Sequence, residues 1–144
     1  MPRIIAALFL CGVWHKRMHG KVHIGKAASR GRGVFSDTHY SPGDVVLECP
    51  CIDVTHNKIG AESEILDYVF EHPDDERKSV VALGYCSLAN HEDDPNSEWV
   101  YAPRDHPSEQ STMVLRARRD IPVGAEVTIS YGNEWWTKRE RKPV

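Results

Sequence analysis

Residues 34–46 and 115–127 echo one another. In the first, Val34-Phe35-Ser36 leads to Tyr40-Ser41-Pro42-Gly43-Asp44-Val45-Val46; in the second, Leu115-Arg116-Ala117 leads to Ile121-Pro122-Val123-Gly124-Ala125-Glu126-Val127. Each copy is a strand-like run, an apolar residue, a Pro/Gly turn and a second strand-like run. The copies stand 81 positions apart (124 − 43). Gly43 and Gly124 fall at matching points, where a positive φ is cheapest for glycine. The period is too long and the copies too few for a solenoid. The echo predicts a β-rich domain with two similar hairpin-like corners.

The rest of the chain agrees. Lys21 to Lys26 alternates as a short strand, 27–33 is a glycine-containing loop, and Val34-Phe35 resumes the strand. Val45 to Leu47 and Ile52 to Val54 read as two further strands, as do Met113 to Arg118 and Glu126 to Ser130. Glu62 to Glu71 places Ile65, Leu66, Val69 and Phe70 at helical spacing, which predicts a short amphipathic helix. The polar segment from Asn96 to Thr112 is expected to be a loop or irregular hairpin. The fold class is therefore mainly β with one or two short helices (α+β), and 144 residues suffice for one domain.

Two apolar runs end in reactive-looking chemistry. Leu83 to Asn96 is apolar up to Ala89, then meets Asn90-His91, an acidic triplet and a Pro95-Asn96 turn signal. Gly124 to Gly132 ends a strand-like run on Tyr131. Two buried runs with polar or aromatic ends look like the two halves of one pocket.

A net charge of −3 argues against a general nucleic-acid grip. Acidic residues cluster between Glu62 and Glu76 and again at Glu92-Asp93-Asp94. A solvated face is the ordinary reading of either run, but together they bracket Leu83 to Asn96 and suit a basic peptide. The four cysteines, at 11, 49, 51 and 86, form no disulfide framework and are expected to be reduced and mostly buried. A zinc site built on Cys49-Pro50-Cys51 with histidines stays a minority reading, about one chance in ten, and His15, His19 and His23 do not share a helix face with Val22 and Ile24 reading as strand. No metal ligand is assigned. Ile4 to Trp14 is an eleven-residue apolar run with basic flanks, short of the roughly 20 residues of a membrane span. It has no small-x-small cleavage site, and Met18 is an alternative start. Residues 1–18 are set apart as an N-terminal extension, 19–137 as the folded domain and 138–144 as a basic tail.

Four motifs in order then resemble one family, the SET-domain protein lysine methyltransferases. Gly31-Arg32-Gly33-Val34-Phe35 resembles its G-x-G-hydrophobic-Phe element, and Asn90-His91 with Pro95-Asn96 its N-H-S-x-x-P-N motif. Arg119-Asp120-Ile121 through Gly124 and Glu126 resembles its R-D-I-x-x-G-E-E segment, and Thr128-Ile129-Ser130-Tyr131-Gly132 its terminal tyrosine motif. Each is weak alone; in order they are strong. The likeness is greatest to the compact viral members, whose elements recur at Glu48 to Ile52, Asp67 to Phe70, Ala82 to Gly84 and Ile129 to Gly132. Glu92 stands where the family has Ser, Ala125 where it has Glu, Arg32 where the viral members have an aromatic, and no zinc-binding cysteine tail follows Tyr131.

The resemblance implies a β-clip-like SET fold with a C-terminal pseudoknot, S-adenosyl-L-methionine as cofactor, and transfer of its methyl to a lysine amine. That displacement is chiefly a matter of positioning. The lysine must also lose its proton, since a pKa near 10.4 leaves under ~1% neutral at pH 8; an apolar channel favours the neutral form. The implied catalytic residue is Tyr131. Arg30, Gly31, Arg32 and Gly33 would meet the cofactor through their backbone, Asn90 through its side chain, and His91 largely through its backbone. Trp135 or Trp136 would cover the adenine or cap the lysine channel, whose walls would be Tyr68, Tyr85 and Trp99. Core packing is an equal reading for Tyr68 and the stronger one for Tyr85. The implied partner is a histone H3 tail or another basic lysine peptide, in a nuclear setting (the host's, if viral) or a cytoplasmic one for a non-histone substrate. A lid over the site must come from the chain's own end or from a second subunit, so a homodimer is expected. Glu92 and Ala125 keep open a module that reads basic peptides without turnover. An all-β carbohydrate-binding or scaffold domain explains the echo but not the Asn-His and Ser-Tyr-Gly motifs.

Overall fold

The computed structural model describes residues 21–104 and 110–138. Its strands are β1 (Val22–Lys26), β2 (Arg32–Ser36), β3 (Val45–Thr55), β4 (Val69–Glu71), β5 (Lys78–Ala82), β6 (Asn90–His91), β7 (Ser97–Ala102), β8 (Thr112–Ala117) and β9 (Glu126–Ile129). One α-helix, α1 (Asn133–Lys138), follows β9. The strands form a four-stranded sheet in the order β1-β2-β9-β6 and a five-stranded sheet in the order β4-β5-β3-β8-β7. All pairs are antiparallel except β6 with β9.

The echo becomes a pairing between its two copies. Tyr40 and Ile121 exchange both backbone hydrogen bonds, each 2.9 Å. Gly43 N–H donates to Ala117 O and its counterpart Gly124 N–H to Ser36 O, both at 2.8 Å. Ala117 N–H donates to Asp44 O and Ser36 N–H to Ala125 O, both at 2.9 Å. A pseudo-two-fold axis therefore passes between Tyr40 and Ile121, and each corner satisfies the backbone of the other. The glycines hold φ of +90° and +83°, as the turns require. The strand leaving the first corner, β3, pairs with β8, which enters the second; β9 pairs with β2 in return.

The core lies inside the curled sheets, with Leu47, Cys49 and Cys51 of β3 facing Val80, Met113 and Leu115. A bulge between Val45 and Leu47 lets Val46 and Leu47 both turn inward, breaking the simple alternation. The two short strands expected at 45–47 and 52–54 are one eleven-residue strand. Pro50 does not break it: Leu83 N–H donates to the Pro50 carbonyl and the neighbouring Cys51 N–H to Ser111 O, each at 2.8 Å.

Residues 62–71 are not an amphipathic helix. A 3-10 turn, Glu64–Tyr68, is capped by Ser63 and buries none of its residues; Val69 and Phe70 then enter β4 and pair with Val81 and Val80. The helical spacing is real, but an open strand edge captured two strand-favouring residues. Of the two readings for 96–112, the hairpin holds: β7 runs antiparallel to β8 and turns Trp99 and Tyr101 to one face. Phe70 meets Trp99 at 5.3 Å and His72 meets Tyr101 at 4.8 Å, so aromatic pairs draw the outer strands of the sheet toward each other. The apolar run Ile4 to Trp14, His15, His19 and residues 139–144 lie outside the described residues. Among the described residues, no helix is long and apolar enough to cross a membrane.

Cys49, Cys51 and Cys86 are free and buried. Burial is the main cause that pushes the Cys51 thiol up to about 12. An unfolded thiol ionises near 8.5, so the folded state holds a proton that the unfolded state has lost. This contribution to stability is complete below about pH 8.5 and disappears as pH rises toward 12. Tyr40, raised chiefly by burial, acts in the same direction above pH 10. Urea midpoints are expected to fall from pH 8 to pH 10.5; equal midpoints would contradict the buried-thiol assignment.

Candidate functional site

Cys86 and Ala89, both buried, anchor the 3-10 turn Tyr85–Leu88 and deliver Asn90 and His91 to the sheet. Beyond them the chain is stitched to β9. Glu92 N–H donates to Ile129 O (3.0 Å). Asn96 gives its amide N–H to Glu126 O (2.7 Å) and accepts Thr128 N–H (2.9 Å). Buried Ser97 donates to Thr128 O (2.7 Å). Asn96 thus replaces a missing strand partner with its side chain. These bonds bring Asn90 and Tyr131 together across 41 positions (131 − 90), the juxtaposition that a pseudoknot requires. The sequence marked Asn96 as a turn residue and missed this role.

Two bonds fix Tyr131. Its backbone N–H donates to His91 Nδ1 (3.1 Å), and its hydroxyl donates to the Ala89 carbonyl (3.0 Å). His91 Nδ1 therefore carries the lone pair and Nε2 the proton, which faces Asp93 Oδ1 at 3.0 Å. The His91 ring is thus a positioning group in its own right, beyond the backbone role expected of it. Burial raises the Tyr131 pKa, and the nearby Arg30 guanidinium opposes part of that rise.

Arg30 ties the glycine loop to both runs. Its guanidinium donates to the His91 carbonyl (2.6 Å), to Glu92 Oε2 (3.2 Å) and to Glu126 Oε2 (2.8 Å). Glu126 Oε1 in turn accepts from Asn90 Nδ2 (2.7 Å), which also reaches Arg32 O (2.9 Å). Gly33 passes directly beneath. A Cβ there would stand 2.5 Å from Glu126 Oε1 and 3.0 Å from Asn90 Nδ2. Glu126 was visible in the sequence only as one letter of a motif, and Arg30 only as backbone. Glu92, the departure from the family's serine, supplies a second carboxylate to Arg30.

On the other side of Tyr131 an open cleft runs between the Glu64–Tyr68 turn, β4 and β7. Tyr68, Trp99, Tyr131 and Trp135 line it. Tyr85 packs against the core and is not among the lining residues. Asp67, Glu71, Asp74, Asp75 and Glu76 form its rim. Hydrogen bonds from Arg77 hold Asp75 well below the usual carboxylate range, so part of the rim carries its own counter-ion. Both indole rings of α1 pack beside Tyr131: Trp135 lies 4.9 Å from it, and Trp136 lies 4.9 Å from His91 and 5.8 Å from Tyr131. Among the described residues, no three His, Cys, Asp or Glu side chains gather as a metal cage.

A family model for the SET domain matches residues 31–132. The crystal structure of a Plasmodium falciparum "putative histone methyltransferase" is similar with a TM-score of 0.67 and 28% identity, covering 83% of this chain and 99% of that one. No curated protein matches the sequence significantly.

Proposed function

We propose that this chain, which belongs to the SET-domain family, methylates a lysine of a basic protein segment with S-adenosylmethionine, the histone H3 tail being the leading substrate. The family and the similar Plasmodium structure support protein lysine methyltransferase activity in general. The observation that carries the reading is the place of Tyr131. It lines an aromatic cleft and bonds through its backbone to His91.

The residues present fit the cofactor. Gly33 lets its backbone pack close against Glu126 and Asn90, and Trp136 has a buried indole N–H without a partner among the described residues. Asn90, the His91 backbone, the loop 30–33 and Trp136 would hold the group, which when bound supplies an electrophilic methyl. The chain's own residues do the rest. Tyr68, Trp99 and Trp135 guide the aliphatic stem of the lysine and suit its cationic form at entry. Their apolar faces favour the neutral amine as it moves inward. The Tyr131 hydroxyl commits its proton to the Ala89 carbonyl, so its lone pairs are free to accept weak C–H···O contacts from the methyl. Asp67, Glu71, Asp74 and Glu76 favour basic residues beside the target lysine.

Incubation with core histones and methyl-labelled S-adenosylmethionine tests the reading. Label is expected on H3. Label on another protein would keep the activity and replace the substrate. No label together with no cofactor binding by calorimetry would overturn the enzyme in favour of a peptide-reading module.

A further inference from the structure

Phe70 and Trp99 join β4 to β7 with apolar rings, and a second apolar pair one step further along would join them equally well. The chain places polar chemistry there instead. Tyr101 donates its hydroxyl proton to Asp53 Oδ2 (2.9 Å), and Ser111 donates to Oδ1 of the same carboxylate (3.1 Å). His72 Nε2 lies 3.2 Å from the Tyr101 hydroxyl and 3.8 Å from Asp53 Oδ2. One carboxylate of β3 thus gathers β7, the approach to β8 and the residue after β4. The His72 side chain is only 9% exposed. Buried polar groups give little stability over an apolar packing of the same shape; what they can add is a defined arrangement.

The ring of His72 sets that arrangement. Asp74 N–H donates to its Nδ1 (3.1 Å), so Nδ1 carries the lone pair and Nε2 the proton. Nε2–H then donates to Tyr101, whose own proton is committed to Asp53. One ring nitrogen is held by the sheet. The other holds the turn 72–77, which joins β4 to β5 and lines the cleft along its whole length. Within that turn the charges divide unequally. Arg77 and Lys78 both converge on Asp75, at 3.0 and 3.5 Å, while Asp74 and Glu76 stay exposed.

Resting on the methyltransferase reading above, we infer that His72 is a positioning residue for substrate choice. It ties the turn to the sheet that carries Trp99, and so holds the Asp74 carboxylate at a set distance from the aromatic walls that take the lysine. The group it serves is a basic residue of the substrate flanking the acceptor lysine. His72 acts through Asp74 and has no part in the transfer itself.

Two substitutions divide the ring. His72→Asn places an amide oxygen where Nδ1 stands and keeps the acceptor for Asp74 N–H. His72→Gln places an amide nitrogen where Nε2 stands and keeps only the bond to Tyr101. The test compares a histone H3 tail peptide with the same peptide carrying alanine for arginine, by calorimetry of the full chain with S-adenosylhomocysteine present. His72→Gln is expected to lower the preference for the arginine peptide about threefold, the scale of one exposed ion pair. It is also expected to speed hydrogen exchange at the Asp74 amide, which reads local opening. His72→Asn is expected to keep both the preference and the protection, although it breaks the bond to Tyr101. Equal effects of the two variants overturn the role, as does a preference that survives in His72→Gln. Should either fold poorly, Asp74→Asn changes only an exposed side chain and is expected to show the same loss; an unchanged preference there overturns the proposal as well. A wild-type chain that binds neither peptide overturns the substrate reading on which the proposal rests, whereas the exchange result bears on His72 alone.

Discussion

Tyr131→Phe is expected to lower methyl transfer by at least about a hundredfold, the scale of removing one preorganised group at a reacting centre, while cofactor affinity stays close to wild type. The asymmetry follows from which atom is removed. The ring, with its contacts to Trp135, Trp136 and His91, is retained. The backbone bond to His91 is retained as well. Only the oxygen is lost, and with it the lone pairs that would accept contacts from the methyl. The Ala89 carbonyl loses its donor, a cost of about 1 kcal/mol, which lowers Tm by only about 3–6 °C in a domain of this size. A labelled-methyl assay and a thermal melt on the same preparation read both quantities. A variant that turns over normally removes Tyr131 from catalysis; one that unfolds well below that range makes it a structural residue.

The same tyrosine predicts a pH profile. Burial raises its pKa above the ordinary value of 10, so the hydroxyl stays protonated and bonded to Ala89 across the working range. The rate should therefore rise between pH 8 and pH 10, as more of the substrate lysine loses its proton.

Much of this site was legible because its residues are neighbours along the chain. Asn90-His91, Gly31 to Gly33 and Ser130-Tyr131-Gly132 are short runs, and the structure gathers all three around one point. Tyr68 and Trp99 line the cleft, but Tyr85 turned to the core, since nothing in the local pattern distinguishes a tyrosine that packs from one that lines a wall. What sequence could not show is carried by pairs far apart. Arg30 meets Glu126 across 96 positions and Asn96 meets Glu126 across 30. The echo is visible in the sequence, yet by itself it predicts only two similar corners. That they bond to each other through Tyr40 and Ile121 needs the backbone directions as well as the pattern. Val69 and Phe70 failed for a related reason: helical spacing is local, and the strand edge that captured them lies elsewhere.

Glu126 is the residue whose loss should do most damage to the cofactor side. Its side chain is 15% exposed and its Arg30 partner 20%, so the pair is shielded from solvent and is not an ordinary surface bridge. Glu126→Ala would leave a largely buried guanidinium with only Glu92, half exposed, and the His91 carbonyl. Asn90 would keep a single acceptor, the Arg32 carbonyl. Removing one member of such a pair is expensive because the other remains desolvated; about 2–3 kcal/mol is expected here, below the full cost of a deeply buried pair. Tm should fall by about 10 °C, and affinity for S-adenosylhomocysteine by more than about tenfold, because Asn90 and the loop 30–33 lose the group that aims them. Glu126→Gln separates the two duties. It keeps an oxygen for Asn90 but gives up the charge that holds Arg30, so it should fall between wild type and alanine in both measurements. Unchanged melting and unchanged affinity in Glu126→Ala would mean that Glu92 alone suffices to hold Arg30. The serine-to-glutamate departure at position 92 would then be the chain's own replacement for the bridge to Glu126.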